Sequence, residues 1–163
     1  MTVRDRLWLF ASRAHDDDIW LGKGRANRFS CWSRITPAEG AAMLDIPNVV
    51  MIVSDGIPVP YSADAYGYME SFCRMKNVVW SITGSSGFRA GNEEKFICHL
   101  AEKYPNVTGA FADDFLGGGS IPEEKRKLVS DIRRTLDTAC RPLSMWLTVY
   151  GRDLETCDTS VYG

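Results

Sequence analysis

The sequence lacks the features that define membrane proteins, thiolate metal proteins and nucleic-acid-binding proteins. It contains no apolar run of about eighteen residues, so no membrane span is predicted. Its five cysteines include no CxxC pair, which disfavours zinc-ribbon and thioredoxin-like motifs. The 19 lysine and arginine residues are balanced by 21 aspartate and glutamate residues, and this balance disfavours nucleic acid as the main partner.

The amino terminus has little of what a secretory leader needs. The apolar stretch at residues 7–11 is too short for the core of a signal peptide. An odd number of cysteines fits a reducing compartment, so we expect a cytoplasmic protein. Cys73, Cys98 and Cys140 fall within or at the end of predicted helices, where we expect buried free thiols.

The chain does contain a regular alternation of short apolar runs and longer helical stretches. The runs predict five strands, at residues 7–11, 48–53, 78–83, 107–112 and 144–150. The stretches between them predict four helices, at residues 36–45, 64–75, 92–103 and 120–140. This order implies parallel strands joined by right-handed crossovers in a single α/β domain over residues 1–163.

Three of the predicted helices have recognisable starts. Thr36 and Glu39 form a capping box with Pro37 at the first helical position. Ser120 and Glu123 predict a second capping box, and Asn92 is a candidate cap for the helix between them.

Two architectures fit this order of elements. An open, doubly wound sheet of five strands would be complete at 163 residues, whereas a (β/α)8 barrel needs about 250. We favour the barrel, with the chain supplying its first four β/α units and fifth strand and ending before the rest. Barrel interiors accept small and polar side chains, and strands three and four offer them on one face. We expect the inward-facing residues to be Ser81, Thr83, Thr108, Ala110, Ala112 and Asp114.

The strongest candidate for chemistry is the acidic pair Asp113 and Asp114, directly after strand four. Ligands bind at the carboxyl ends of the strands in both architectures. Two adjacent acids at such a place are costly unless they are solvated, hydrogen-bonded or used. They predict a nucleophile, a general acid/base or a metal ligand, with Asp114 in the main role. A polar strand end that caps the next turn is the alternative.

The long loop after strand one is the second candidate. His15 could position or protonate a substrate, and the acidic run at residues 16–18 could bind a cation or simply be solvated. Trp20, Arg28 and Trp32 alternate aromatic and basic character, which suits stacking on sugar rings. They could equally bind single-stranded nucleic acid, or pack the loop onto the barrel rim.

Other polar residues fall at predicted strand ends and are candidates for substrate binding: Asp55, Ser81, Tyr150 and Arg152. Their positions are right for a site, but their chemistry is generic. No nucleotide fingerprint is present, because the glycines at 117–119 match neither GxGxxG nor GxxxxGK[ST]. We expect no cofactor and no bound metal.

Four segments carry a resemblance to known proteins: WSRITPAE at 32–39, IPNVVM at 46–51, VWSI at 79–82 and NVTGAFADDF at 106–115. With these segments the chain resembles a group of uncharacterised bacterial proteins with a glycoside-hydrolase-like TIM barrel. The resemblance covers most of residues 6–150 and implies a barrel fold and a carbohydrate substrate. It places Asp113 and Asp114 where many barrel glycosidases carry a carboxylate on strand four. The short stretch at 117–119 departs from the longer, substrate-shaping loop that the resemblance implies.

The resemblance and the acidic pair together predict a carbohydrate-active hydrolase. Asp114 would act as nucleophile or acid/base with support from Asp113, while His15 and the first-loop aromatics would position the sugar. Glycoside hydrolysis usually needs a second carboxylate, which we expect on a later strand. We therefore expect the 163-residue chain alone to be inactive.

Two other functions stay open at this stage. The first is a carbohydrate-binding barrel domain without catalysis. The second is a metal-dependent isomerase or hydrolase that uses Asp16, Asp18, Asp55 and Asp114. An incomplete barrel would also leave a sheet edge and an apolar inner face exposed, so we expect self-association.

Overall fold

The computed structural model describes residues 2–14, 34–84, 87–115, 121–151 and 155. These residues form strands β1 (Trp8–Ala11), β2 (Asn48–Met51), β3 (Asn77–Ser81), β4 (Val107–Ala112) and β5 (Ser144–Leu147). The helices are α1 (Pro37–Met43), α2 (Ala63–Ser71), α3 (Glu93–Lys103) and α4 (Glu123–Leu136). One-turn 3-10 helices lie at Arg4–Arg6 and Ser54–Gly56. The predicted alternation of strands and helices is confirmed, and β4 has the predicted bounds.

The five strands form one parallel sheet in the sequential order β1-β2-β3-β4-β5. The buried side chains of all four helices belong to one core, so the helices cover one face of the sheet. A doubly wound sheet reverses its strand order and carries helices on both faces. Sequential order with helices on one face is instead the arrangement of the first half of a (β/α)8 barrel.

The helix-covered face holds most of the buried apolar volume. The side chains that point toward the helices include Val49 and Met51 of β2 and Trp80 of β3. All three are almost fully buried. Continuous burial along β2 explains its unbroken apolar sequence, because a parallel strand between two layers is covered on both sides. No helix among the described residues is long and apolar enough to cross a membrane.

The opposite face of the sheet is concave. Trp8 of β1 and Trp146 of β5 lie on the two outermost strands, yet their ring centroids are 4.6 Å apart. In a flat sheet, four strand spacings would separate those strands by about 19 Å. The sheet therefore curls until its edges face each other, as strands one and five do across an eight-stranded barrel.

The concave face is only partly covered, since Phe10 stays 59% exposed there, as expected of an open inner face. Val50, Ile52 and Val79 are buried there, and Trp8 and Trp146 pack against them. The two tryptophan rings can cover these residues because the curvature brings the sheet edges together. Self-association stays a prediction, but burial of these residues removes part of its physical basis.

The predicted orientation of β4 is right at Val107 and wrong from Ala110 onward. Val107 lies in the helix-covered core as predicted, but so do Ala110 and Ala112, whereas Phe111 lies on the concave face. The reason is a register shift between β3 and β4, where Val78 pairs with Val107 and Val79 pairs with Gly109. The extra residue in β4 reverses the faces of the residues that follow it.

The helix starts differ in how they are stabilised. The capping box of Thr36 and Glu39 is confirmed, with Pro37 in the first turn. Asn92 occupies the N-cap of α3 in a left-handed conformation and makes no side-chain cap. The Glu93 carboxylate instead accepts hydrogen bonds from the backbone N–H groups of Ala90 and Gly91, which fixes the loop just before the helix.

The remaining local predictions are partly wrong. The predicted cap Ser120 lies outside the described residues, and α4 begins after Pro122 without a side-chain cap. Cys73 and Cys140 are exposed rather than buried, and Cys98 is half-buried in α3. Cys73 and Cys140 lie after the ends of α2 and α4, outside the helices in which burial is predicted.

Candidate functional site at the carboxyl end of the sheet

The acidic pair lies at the carboxyl end of β4, and both residues are half-buried. Neighbouring strands bring hydroxyl groups to the same edge. Thr83 follows β3, while Thr148 and Tyr150 follow β5. Each of these three residues donates a hydrogen bond to Asp113 or Asp114. The structure thus brings together groups from three consecutive strands.

Asp113 is held at both its side chain and its backbone. The Thr148 hydroxyl donates to Asp113 Oδ1 at 3.0 Å, and the Thr83 hydroxyl donates to the Asp113 carbonyl oxygen at 2.8 Å. Burial raises the pKa of the Asp113 carboxyl, against the lowering effect of the Thr148 hydrogen bond, and the nearby Asp114 charge raises it further. Asp113 therefore keeps its proton to a higher pH than an ordinary aspartate.

Ser81 supports the backbone beneath this carboxyl group. Its hydroxyl oxygen lies 3.2 Å from the Phe111 carbonyl oxygen and also hydrogen-bonds the Thr83 carbonyl. The Thr83 backbone N–H donates back to the Ser81 hydroxyl at 3.3 Å. Ser81 is almost fully buried, so its role here is to fix the ends of β3 and β4 rather than to contact a ligand directly.

Asp114 has a left-handed backbone, with φ of 45°. The conformation is unusual for a residue with a side chain, although aspartate tolerates it better than most. It ends the alternation of β4, so both acids stay at the same edge of the sheet. The Tyr150 hydroxyl donates a hydrogen bond to Asp114 Oδ1, and the tyrosine ring remains 45% exposed.

Gly87, in the loop after β3, packs against the backbone of Asp114. A Cβ atom at Gly87 would lie 3.2 Å from the Asp114 carbonyl oxygen and 3.4 Å from the Phe115 Cα. Gly87 also has φ of 74°, a conformation that side chains disfavour. The loop between β3 and α3 therefore touches the acidic pair through a residue that has to be glycine.

The raised pKa of Asp113 makes a prediction about stability and pH. A carboxyl group with a higher pKa in the folded than in the unfolded state favours folding most at low pH, and this contribution is lost as pH rises through the folded pKa. We expect Asp113→Asn to be more stable than the wild type at pH 7, because asparagine removes the buried charge and can still accept from Thr148. The advantage should disappear near pH 3, where Asp113 is protonated. Urea unfolding at both pH values measures this, and equal stability at pH 7 would contradict it.

A groove of about 280 Å³ lies elsewhere, in the helix layer. Its lining comes from the start of α1 and the exposed side of α2, and consists of Thr36, Ala63, Asp64, Gly67, Tyr68 and Ser71. None of these residues follows a strand, so the groove is separate from the acidic pair.

The predicted site residues have three different outcomes. The structure brings Asp113, Asp114, Ser81 and Tyr150 to one edge of the sheet. Outside the described residues lie His15, Trp20, Arg28, Trp32 and Arg152, together with the acidic run at 16–18. Asp55 lies in the 3-10 helix after β2, and its side chain is also outside what the structure describes.

Sequence reasoning missed two residues at the site, Thr148 and Phe88. Successive side chains of a strand point to opposite faces, so Ser144, Trp146 and Thr148 share one face of the sheet. Because β5 pairs with β4, this pattern could have predicted that Thr148 lies beside the end of strand four. Phe88 had no sequence signal, because its position depends on how its loop folds back over the sheet. Among the described residues, no group of three or more His, Cys, Asp or Glu side chains could hold a metal ion.

Comparisons of the chain with protein-family models, with curated proteins and with solved structures found no match. The resemblance to glycoside-hydrolase-like barrels therefore stays a prediction. What can be said of function depends on the geometry of the acidic pair.

Proposed function

We propose that the acidic pair binds a carbohydrate and belongs to the active site of a glycoside-hydrolase-like barrel. The observation that supports this most is the half-buried Asp113 carboxyl, whose pKa burial raises, beside a second carboxyl group on the same strand end. A general acid in glycoside hydrolysis needs a raised pKa, so that it holds the proton that it gives to the leaving oxygen.

The geometry suggests a division of roles that differs from the sequence prediction. At pH values below its raised pKa, Asp113 is the proton donor, with Thr148 holding one carboxyl oxygen in place. Asp114 is the partner carboxyl group, positioned by the Tyr150 hydroxyl, and as a carboxylate it would stabilise positive charge that develops on the sugar. The sequence predicts Asp114 in the leading role because unbroken alternation along β4 would turn Asp114, rather than Asp113, inward.

The acidic pair by itself does not supply both catalytic carboxylates. The two groups must flank the scissile bond, with a separation of about 5 Å for retention and about 6.5–9.5 Å for inversion. Asp113 and Asp114 are sequence neighbours on one strand end, so they approach a substrate from the same side. The same observation favours the second candidate function, a carbohydrate-binding domain without turnover.

We predict that the 163-residue chain binds pyranosides but does not hydrolyse 4-nitrophenyl glycosides. Asp114→Asn should weaken binding at least about tenfold, since hydrogen bonds to a charged acceptor contribute about 1.5–3 kcal/mol. Titration with methyl pyranosides, followed by NMR chemical shifts, measures binding, and release of 4-nitrophenol measures turnover. Asp131→Asn on the exposed side of α4 is the matched control and should bind as the wild type does.

The outcomes separate the candidate functions. Turnover that Asp114→Asn abolishes would contradict the inactive state that we predict for this chain. Binding that survives Asp114→Asn would favour the carbohydrate-binding domain without chemistry. Absence of binding by the wild type to every pyranoside would overturn the proposal.

A further inference from the structure

Phe88 is an exposed aromatic residue whose ring packs against the backbone at Gly56. Its side chain is 51% exposed, although phenylalanine normally buries its ring. A Cβ atom at Gly56 would lie 2.9 Å from Phe88 Cε1, so part of the ring lies directly on the backbone of the 3-10 helix after β2. Gly56 has φ of 76°, so both its conformation and the space beneath the ring require glycine.

The loop that carries Phe88 is closed by its own hydrogen bonds. The Gly84 N–H donates to the Phe88 carbonyl oxygen at 2.7 Å, and the Gly87 N–H donates to the Gly84 carbonyl at 3.0 Å. The ring therefore has a support below it and a fixed backbone beside it. A ligand that stacks on a fixed ring loses less conformational entropy than one that has to order a mobile side chain.

This loop links Phe88 to the acidic pair. Gly87, the residue before Phe88, packs against the backbone of Asp114. Since the sheet order is sequential, Phe88 lies on the β2 and β3 side of the acids. Tyr150, also half exposed, lies on the β5 side and hydrogen-bonds Asp114. In the order of the strands, Phe88 and Tyr150 thus lie on opposite sides of the acidic pair.

We propose that Phe88 is a stacking platform for the apolar face of a pyranose whose polar groups reach Asp113 and Asp114. This inference rests on the proposed function and adds a substrate class, namely pyranosides with C–H bonds grouped on one face, such as glucosides and galactosides. An aromatic face attracts such C–H groups, while adjacent carboxyl groups accept hydrogen bonds from ring hydroxyls. Phenylalanine has no polar atom, so it contributes stacking and apolar contact alone.

Four variants of the full chain test the platform. Phe88→Ala removes the ring, and Phe88→Leu keeps an apolar side chain over Gly56 without an aromatic face. Phe88→Trp enlarges the face. Tyr61→Ala is the matched control, because Tyr61 is 50% exposed but lies in the helix layer, in edge contact with Phe96. The probes are methyl β-glucopyranoside and methyl β-galactopyranoside, with NMR titration giving affinity and saturation transfer identifying the sugar protons that touch the protein.

We expect Phe88→Ala and Phe88→Leu to bind at least about fivefold more weakly, while Phe88→Trp and Tyr61→Ala bind at least as well as the wild type. Saturation transfer should be strongest at the C–H protons of one sugar face and should fall in Phe88→Leu. Wild-type affinity in Phe88→Leu would overturn the platform and leave the proposed function standing. Failure of the wild type to bind either probe would overturn the platform, and the wider pyranoside panel then decides the proposed function.

Discussion

Replacing Gly109 with alanine is expected to lower the free energy of unfolding by about 3 kcal/mol. A Cβ atom at Gly109 would lie 2.5 Å from the Ser144 carbonyl oxygen, far inside the contact distance of two heavy atoms. That oxygen belongs to the backbone of β5, which pairs with β4 through Gly109 and Ser144. Because the backbone cannot rotate away as a side chain can, the strands have to separate.

The loss should be concentrated at β5. Urea unfolding measures the total change, and amide hydrogen exchange locates it, with the Thr148 N–H that donates to the Ala112 carbonyl as a sensitive reporter. The matched control is Gly67→Ala in α2, where an added Cβ atom meets nothing within 4 Å. Alanine there should stabilise the protein by about 0.5–1 kcal/mol, because glycine disfavours helix. Equal effects of the two substitutions would contradict the close approach of β4 and β5.

Replacing Phe96 with alanine is expected to cost about 4 kcal/mol, in the range for a buried aromatic residue. Phe96 is 1% exposed and lies in α3, where it packs against the sheet. Three aromatic rings meet its edge or face, with centroid distances of 4.9 Å to Tyr61, 5.8 Å to Tyr66 and 6.0 Å to Trp80. Truncation leaves a cavity that these large rings cannot close.

Phe10→Ala is the matched control for this prediction. Phe10 is 59% exposed on the concave face and makes a single edge contact with Phe111 among the described aromatic pairs. Its truncation should cost less than about 1 kcal/mol. Thermal and urea unfolding of both variants give the comparison. A loss from Phe10→Ala as large as that from Phe96→Ala would show that Phe10 is covered in solution, for instance by self-association.

The order and local boundaries of the elements could be predicted from the sequence. The apolar runs of β2 and β4 and the capping box at Thr36 depend on neighbours in the chain. Such local preferences act in any fold, which is why the strand–helix alternation was predicted correctly. The position of Asp113 and Asp114 at a strand end followed from the same pattern.

The orientation of the second half of β4 could not be predicted in this way, because regular alternation does not reveal an irregularity in the pairing of two strands. The register shift between β3 and β4 places Val107 toward the helices but Phe111 on the concave face. Asp113 then continued the concave face, and the left-handed backbone of Asp114 kept the second acid beside it. The proposed roles of Asp113 as proton donor and Asp114 as its partner carboxyl group follow from that orientation.

The sequence by itself determined a parallel α/β chain with an acidic pair at the end of its fourth strand. Only the tertiary structure decided that the sheet curls until Trp8 meets Trp146, and that Thr148, Tyr150 and the Phe88 loop surround the acids. The physical reason is the distance along the chain over which each kind of interaction acts. Hydrogen bonding and apolar periodicity act within a few residues, whereas curvature and the meeting of strand ends depend on packing between elements far apart in the chain.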